Sequence, residues 1–377
     1  MQYTEYELGE LLPFEQPTAY IVKSIDYSDA YATPVLTAGK SFILGKTNET
    51  DGIFDQLPVI IFDDFTTATQ FVNFRFKVKS SAMKILHINT DLVIPKYIFY
   101  RLQIIQFDHS THKRYWIQSY SKIKVLIPPL DEQFRIVAHI EELFSELDKA
   151  VDTLKTTKEQ LEVYRQAVLV DIFSQEYPLR QLKEISVALS GFAFKSKNYT
   201  PDGKYTVIKI GNVKDGYLDF SRDKTRTNEV TDKILQKYLL KQGDCLITLT
   251  GTRGKRDYGF VSMIERQTDY LLNQRVAALR FDTMIALPEF FRYYLSSLNY
   301  RNQFFKYETG NVGQGNVGIK ALCEPAVPCP PLDTQKKIVD QISDRLSVCD
   351  SIEKTVDTAL AQADAMRQSI LKQAFEG

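Results

Sequence analysis

From Ile127 the chain reads IPPLDEQFRIVAHIEELFSELD, and from Cys329 it reads CPPLDTQKKIVDQISDRLSVCD. A repeat constrains architecture more than any single motif, because every motif must then sit on a duplicated frame. The copies hold a constant offset of 202, so Pro128, Pro129, Leu130, Asp131 and Gln133 recur as Pro330, Pro331, Leu332, Asp333 and Gln335. Farther along, Ile136, Val137 and Ile140 match Ile338, Val339 and Ile342, and Asp148, Arg165, Gln166, Leu169 and Phe173 match Asp350, Arg367, Gln368, Leu371 and Phe375. No gap is needed over roughly 45 residues, which identifies an internal duplication.

Each copy opens with a proline pair that stops the preceding element, followed by an Asp suited to the N-cap of a helix. The third helical position lacks Glu or Gln, so a simple cap is expected and not a capping box. In the first copy Ile140, Leu143, Leu147, Ala150, Leu154, Leu161, Tyr164 and Val168 fall on alternating spacings of 3 and 4, interrupted only by Thr157. The second offers Ile342, Cys349, Ile352, Val356, Ala359, Ala363, Met366 and Ile370, interrupted by Arg345. Both are coiled-coil seams of about four heptads. A helix of roughly 42 residues spans about 63 Å, so each copy is a strut, and the first is expected to set the distance between whatever its ends carry.

At 377 residues the chain has material for more than one core. The text ahead of each helix reads as a mixed α/β module. QLPVIIFDDF at 56–65 and FVNFRFKVK at 71–79 are strand-like in the first; KYTVIKIGNV at 204–213, GDCLITLTGT at 243–252 and RVAALRF at 275–281 are strand-like in the second. KYIFYRLQII from Lys96 and PEFFRYYLSSL from Pro288 are matching helices. The expected organisation is a module over 1–130, a helix over 131–176, a second module over 177–330 and a second helix over 331–377.

The formal net charge is zero, but its distribution is uneven. Lys plus Arg against Asp plus Glu is 13 to 13 over residues 1–130, 5 to 11 over 131–177, 23 to 15 over 178–329 and 6 to 8 over 330–377. A second module of +8 is thus offset by acidic helical segments, the first favouring polyanions and the second protein partners. No apolar run is long enough to span a bilayer and no leader pattern stands at the N-terminus, so a cytoplasmic protein is expected. Cys245, Cys323, Cys329 and Cys349 show no framework or ligand spacing and read as small apolar fillers.

Catalytic patterns are missing. PCP at 328–330 resembles a cytosine methyltransferase nucleophile, but Ile127 stands at the equivalent place in the first copy. GQGNVG at 313–318 fits GxGxxG, yet the text that follows leaves no room for a phosphate-binding helix, and a flexible polar loop is expected. Asp63 and Asp64 lack the nuclease lysine at short range and read as a solvated loop; His109 and His112 have metal-like spacing without further ligands and read as surface residues. No metal site is expected.

Candidate DNA contacts are more plentiful. TGTRGKRDYG at 250–259 concentrates basic side chains between glycines, giving Thr252, Arg253, Lys255 and Arg256. Asn273, Gln274 and Arg275 supply amide and guanidinium groups suited to adenine and guanine edges, and Asn311, Gln314 and Asn316 supply amides in a polar loop, with Lys195 nearby in the basic module. The first module offers Lys40, Thr67, Gln70, Asn73, Lys113 and Arg114. Trp116, the only tryptophan, reads as core in preference to a stacking surface.

Two divergent α/β modules, each followed by a copied PPLxxQ helix, resemble the specificity subunit of a type I restriction-modification system. GDCLITLTGT, LLNQRVAALRF and TPVLTAGKSFILGKTNE from Thr33 carry the rest of the resemblance. It implies two α/β target recognition domains separated by two long antiparallel coiled-coil helices in a pseudo-two-fold internal repeat. It further implies a non-catalytic subunit that reads a bipartite asymmetric target in double-stranded DNA. Two methyltransferase subunits and restriction/translocase subunits would dock on it, and S-adenosylmethionine, Mg and ATP would be held by those partners and none by this chain. The rival readings are a structural coiled-coil adaptor and a stand-alone DNA modification enzyme.

Overall fold

The computed structural model describes residues 3–38, 41–109, 114–311 and 313–376. The chain forms two compact units, Met1–Lys155 with Asp357–Gly377 and Thr156–Val356. In the first, a four-stranded antiparallel sheet has the order Phe14–Glu15, Met83–His87, Val59–Asp63, Thr69–Val72. Thr33–Leu36 is the centre of a three-stranded sheet, antiparallel to Ile43–Thr47 and parallel to Lys77–Val78. Thr4–Glu7 pairs with Lys124–Ile127, just ahead of the first long helix, Leu130–Phe173.

The second unit repeats this plan and adds a two-stranded ribbon, Thr250–Gly251 with Gly315–Asn316. Its four-stranded sheet has the order Ser186–Ser190, Val276–Phe281, Cys245–Thr248, Val261–Met263. Tyr205–Ile208 is the centre of a three-stranded sheet, antiparallel to Arg226–Thr227 and parallel to Tyr270–Leu272. Leu179–Gln181 pairs with Ala326–Pro328, just ahead of the second long helix, Leu332–Glu376. The duplication therefore extends through the α/β modules, which share topology although their text has diverged.

Strand periodicity explains the cores. Val59–Asp63 is buried at every position because both faces are covered: Ile60 and Phe62 enter one apolar cluster, Val59 and Ile61 another. In the second unit Cys245 and Ile247 face one cluster and Leu246 the other. The long helices complete the larger clusters, with Val137 in the first unit and Val168, Leu169, Ile172, Phe173, Ile338 and Ile342 in the second. Within the second unit the helices run antiparallel, as Arg165 bridges Asp350 (2.7 Å) and Glu353 (2.9 Å) while Arg345 bridges Asp171 (2.9 Å). Within the first, Arg367 pairs with Asp148 and lies 4.8 Å over the Phe144 ring.

Several expectations need correction. The helices begin at Leu130 and Leu332, so Asp131 and Asp333 lie inside the first turn, where they favour the helix dipole, and do not cap it. The seams are narrower than their spacing suggests: Ala150 and Ile352 are exposed, as are Tyr164 (47%) and Met366 (53%), whereas Ile342, Cys349, Val356 and Ala363 form a buried row at every seventh residue. FVNFRFKVK is two strands in two different sheets. Asp64 is no solvated loop residue: it is 1% exposed, 3.3 Å from the equally buried Lys84 ammonium. Its carboxylate also accepts the Trp116 backbone N–H (2.9 Å). Trp116 is core, packed on Phe62 and Tyr120. All four cysteines are buried and unpaired. Among the described residues no helix is long and apolar enough to cross a membrane.

Candidate nucleic-acid interface

The second unit gathers its candidate residues at one end of the four-stranded sheet. Ser190, Val276, Thr248 and Val261 end or begin their strands there. Lys195 follows the first, Asn273, Gln274 and Arg275 precede the second, and Thr252, Arg253, Lys255 and Arg256 lie between the last two. Backbone bonds knit these loops together. Gln274 N–H donates to Phe192 O (2.9 Å), Leu249 N–H to Arg275 O (2.9 Å) and Val317 N–H to Leu249 O (2.9 Å). Gly191 allows the first contact, since a methyl there would sit 1.9 Å from the Asn273 carbonyl oxygen.

GQGNVG is not simply a flexible loop. Gly315–Asn316 pairs with Thr250–Gly251, and the helix that follows, Ile319–Leu322, is a single turn. This ribbon sets Asn311, Gln314 and Asn316 beside the basic turn, where the Arg253 guanidinium donates to Gly310 O (2.6 Å). The turn is held from beneath: Arg301 donates to the carbonyls of Gly259 (2.7 Å), Arg256 (3.0 Å) and Tyr258 (3.0 Å), and Arg256 donates to Asn302 Oδ1 (2.9 Å). The Thr252 N–H lowers the pKa of the Asp257 carboxyl it donates to, at 2.7 Å. Burial, then its bond to Glu308, raises that of the Tyr258 hydroxyl. Arg253, Lys255, Arg256, Gln274 and Arg275 are exposed, each with donors left for an external acceptor.

In the first unit Thr67 and Arg114 flank one turn. Thr67 Oγ1 lies 2.9 Å from His109 Nε2, and Tyr115, next to Arg114, donates its N–H to Asp64 O (2.9 Å). Gln70 is exposed on the adjoining strand. Asn73 lies beyond Val72, at the other end of that strand, and is not brought together with Thr67. Lys40, His112 and Lys113 lie outside the described residues.

Among the described residues, the non-glycine positions with left-handed backbone are Thr67 (φ 58°), Arg256 (φ 53°) and Arg275 (φ 71°), and all three are candidates. Such conformations are disfavoured for side-chain-bearing residues and collect where geometry serves binding. Sequence reasoning missed Lys197, Asn198 and Tyr199, which with Phe192 and Lys195 line a pocket of about 500 Å³. It also missed Lys79 and Ser80, in the loop that sheet topology equates with Asn273–Arg275; no local signal marks them.

The family model described as the type I restriction modification DNA specificity domain matches residues 175–362. The specificity subunit of the Escherichia coli type I restriction enzyme EcoR124I/EcoR124II is 45% identical over 174 residues, 43% of this chain and 43% of that one. The chain belongs to the type I specificity-subunit family.

Another family member, the specificity subunit of MjaVIII from Methanocaldococcus jannaschii, is 22% identical over 368 residues, 89% of this chain and 84% of that one. The EcoKI specificity subunit of E. coli strain K12 is 26% identical over 280 residues, 69% of this chain and 58% of that one. The chain thus spans about half the length of the two E. coli specificity subunits. A solved structure described as the structural basis of complex assembly and conformational transition of the type I R-M system shares the fold. It has a TM-score of 0.66 and 18% identity, over 99% of this chain and 97% of that one. Among the described residues no group of three or more His, Cys, Asp or Glu side chains is placed to hold a metal.

Proposed function

We propose that this specificity subunit reads a bipartite, asymmetric target in double-stranded DNA, one half-site with each α/β module, and that its long helices dock two methyltransferase subunits and, through the assembly, restriction subunits. Thr67, Gln70 and Arg114 in the first module and Lys195, Thr252, Arg253, Lys255, Arg256, Asn273, Gln274, Arg275, Asn311, Gln314 and Asn316 in the second are the proposed contacts. S-adenosylmethionine, Mg and ATP belong on the partner subunits in this reading. The observation that carries it is the gathering of the second module's candidates on interlocked loops at one sheet end, within the chain segment of +8 charge.

The copied helices follow from the same reading, because two identical partners need two similar surfaces while two different half-sites need two different readers. The test is a DNA shift assay over a salt series, followed by sequencing of methylated sites in a host carrying the complete system. The isolated chain is expected to bind weakly and lose affinity steeply with salt, because phosphate neutralisation supplies most of its attraction. Adding the methyltransferase subunit is expected to confer sequence preference. Tight, salt-insensitive binding by the chain alone, or a methylated motif that is not bipartite, overturns the proposal.

A further inference from the structure

The most literal part of the repeat, PPLxxQ, ends on a glutamine, and both copies bury it completely: Gln133 and Gln335 are each 0% exposed. Glutamine is seldom fully buried unless its amide is satisfied. In the first unit the Gln133 side chain accepts the Ile94 N–H (2.8 Å) and donates to Leu92 O (3.0 Å) and Pro128 O (2.9 Å). In the second, Gln335 accepts the Leu287 N–H (2.7 Å) and donates to Ile285 O (2.8 Å) and Pro330 O (2.7 Å). The two sets are the same constellation. One carbonyl belongs to the proline pair that starts the long helix, and the other carbonyl and the N–H belong to the module's loop just before its helix Pro95–Leu102 or Pro288–Ser296.

Three backbone groups of fixed polarity, one donor and two acceptors, are matched by one side chain with one acceptor and two donors. Glutamate cannot donate, methionine can do neither, and asparagine is one methylene short. These loops follow the strands Met83–His87 and Val276–Phe281 at the end away from the candidate DNA contacts, so each amide ties the far end of a module's sheet to a helix start. Pro129 O and Pro331 O accept the backbone N–H groups of Gln133 (3.1 Å) and Gln335 (3.0 Å), which locks the glutamine into the first helical turn.

We propose that Gln133 and Gln335 are positioning residues, the joints that hold each recognition module in one orientation on its long helix, so that they govern how strictly half-site spacing is read. This rests on the reading of the chain as a two-module DNA reader. With a joint loosened, a module keeps its base contacts but swivels, and targets with a neighbouring spacer length become acceptable.

The test uses the full chain in complex with methyltransferase subunits and DNA carrying both half-sites at the native spacer and at one base pair more or fewer. The wild-type complex is expected to prefer one spacer by about tenfold, and Gln335→Met is expected to reduce that preference severalfold while base preference within each half-site is retained. Hydrogen exchange gives a readout that needs no DNA: the Leu287 amide is expected to exchange about tenfold faster in the variant, with Leu279 in the adjoining strand unchanged. Should the methionine variant fail to fold, Gln335→Asn retains the amide but cannot span all three groups, and it carries the same expectations. A folded variant with unchanged spacer preference, or with Leu287 protected as in the wild type, overturns the proposal. So does equal loss of base preference at both half-sites. A wild-type complex that reads no bipartite target sinks the parent reading instead, and the exchange result then stands apart.

Discussion

Removing Asp64 gives the sharpest test of how the first module is held together. Its carboxylate and the Lys84 ammonium are both 1% exposed and 3.3 Å apart, and Lys84 Nζ makes no hydrogen bond that would compensate it elsewhere. Asp64 also accepts the backbone N–H of Trp116 through its side chain and that of Tyr115 through its carbonyl. Asp64→Ala strands a buried charge, and breaking such a pair from one side costs about 3–5 kcal/mol. The chain's one tryptophan makes this measurable. Trp116 is fully buried in the first unit, so its fluorescence during urea denaturation reports that unit alone, while far-UV circular dichroism reports both. With a urea slope of about 2 kcal/mol/M, the Trp116 midpoint should fall by about 2 M. The double variant Asp64→Leu with Lys84→Met should recover part of the loss, since it removes the stranded ammonium but leaves the buried Trp116 N–H without its acceptor. A Trp116 midpoint within about 0.3 M of the wild type would show that water or a rearranged partner compensates the ammonium, and would refute the reasoning.

Other expectations are narrower. Arg253→Ala or Arg275→Ala should cost about 1–3 kcal/mol of discrimination at one position of one half-site, read from the methylated motif, if either guanidinium meets a guanine edge; an unchanged motif and affinity in both removes those assignments. Gly191→Ala should abolish recognition of the second half-site with the Trp116 transition unchanged, because the added methyl displaces the Asn273 backbone; retained recognition counts against the loop contact. The Ser24 N–H, and next the Lys77 ammonium, hold Glu49 below the usual carboxylate pKa. A depressed folded pKa stabilises above the unfolded value of about 4.3 and is lost as pH falls through the folded one, so the penalty of Glu49→Gln in melting experiments should be full at neutral pH and vanish in acid. A pH-independent penalty contradicts this.

The long helices were legible because a seam is a local pattern, repeated every few residues, and because the two copies vouch for each other. Strand positions were legible too, as short β-rich runs, but their partners were not. Val59–Asp63 pairs with Met83–His87 and Thr69–Val72 through register that no local period encodes. The same blindness misplaced Asp64, whose partner Lys84 lies twenty residues on in another strand, and it grouped Asn73 with Gln70 although one short strand carries them to opposite ends. The exposure of Tyr164 and Met366 has a different origin. A helix with a single helical neighbour buries one narrow stripe, and flanking apolar residues that fit a heptad stay wet.

Under the proposed function, attachment and reading occupy opposite ends of each sheet, and this bears on how such a protein can change. Drift in the loops around Arg253, Gln274 and Arg275 leaves the Gln335 amide and the helix start untouched, because a whole strand, Val276–Phe281, stands between them. A lineage can therefore explore new vocabularies without renegotiating its quaternary contacts. If each module reads its own half-site as proposed, each trial costs at most one half of the recognised word.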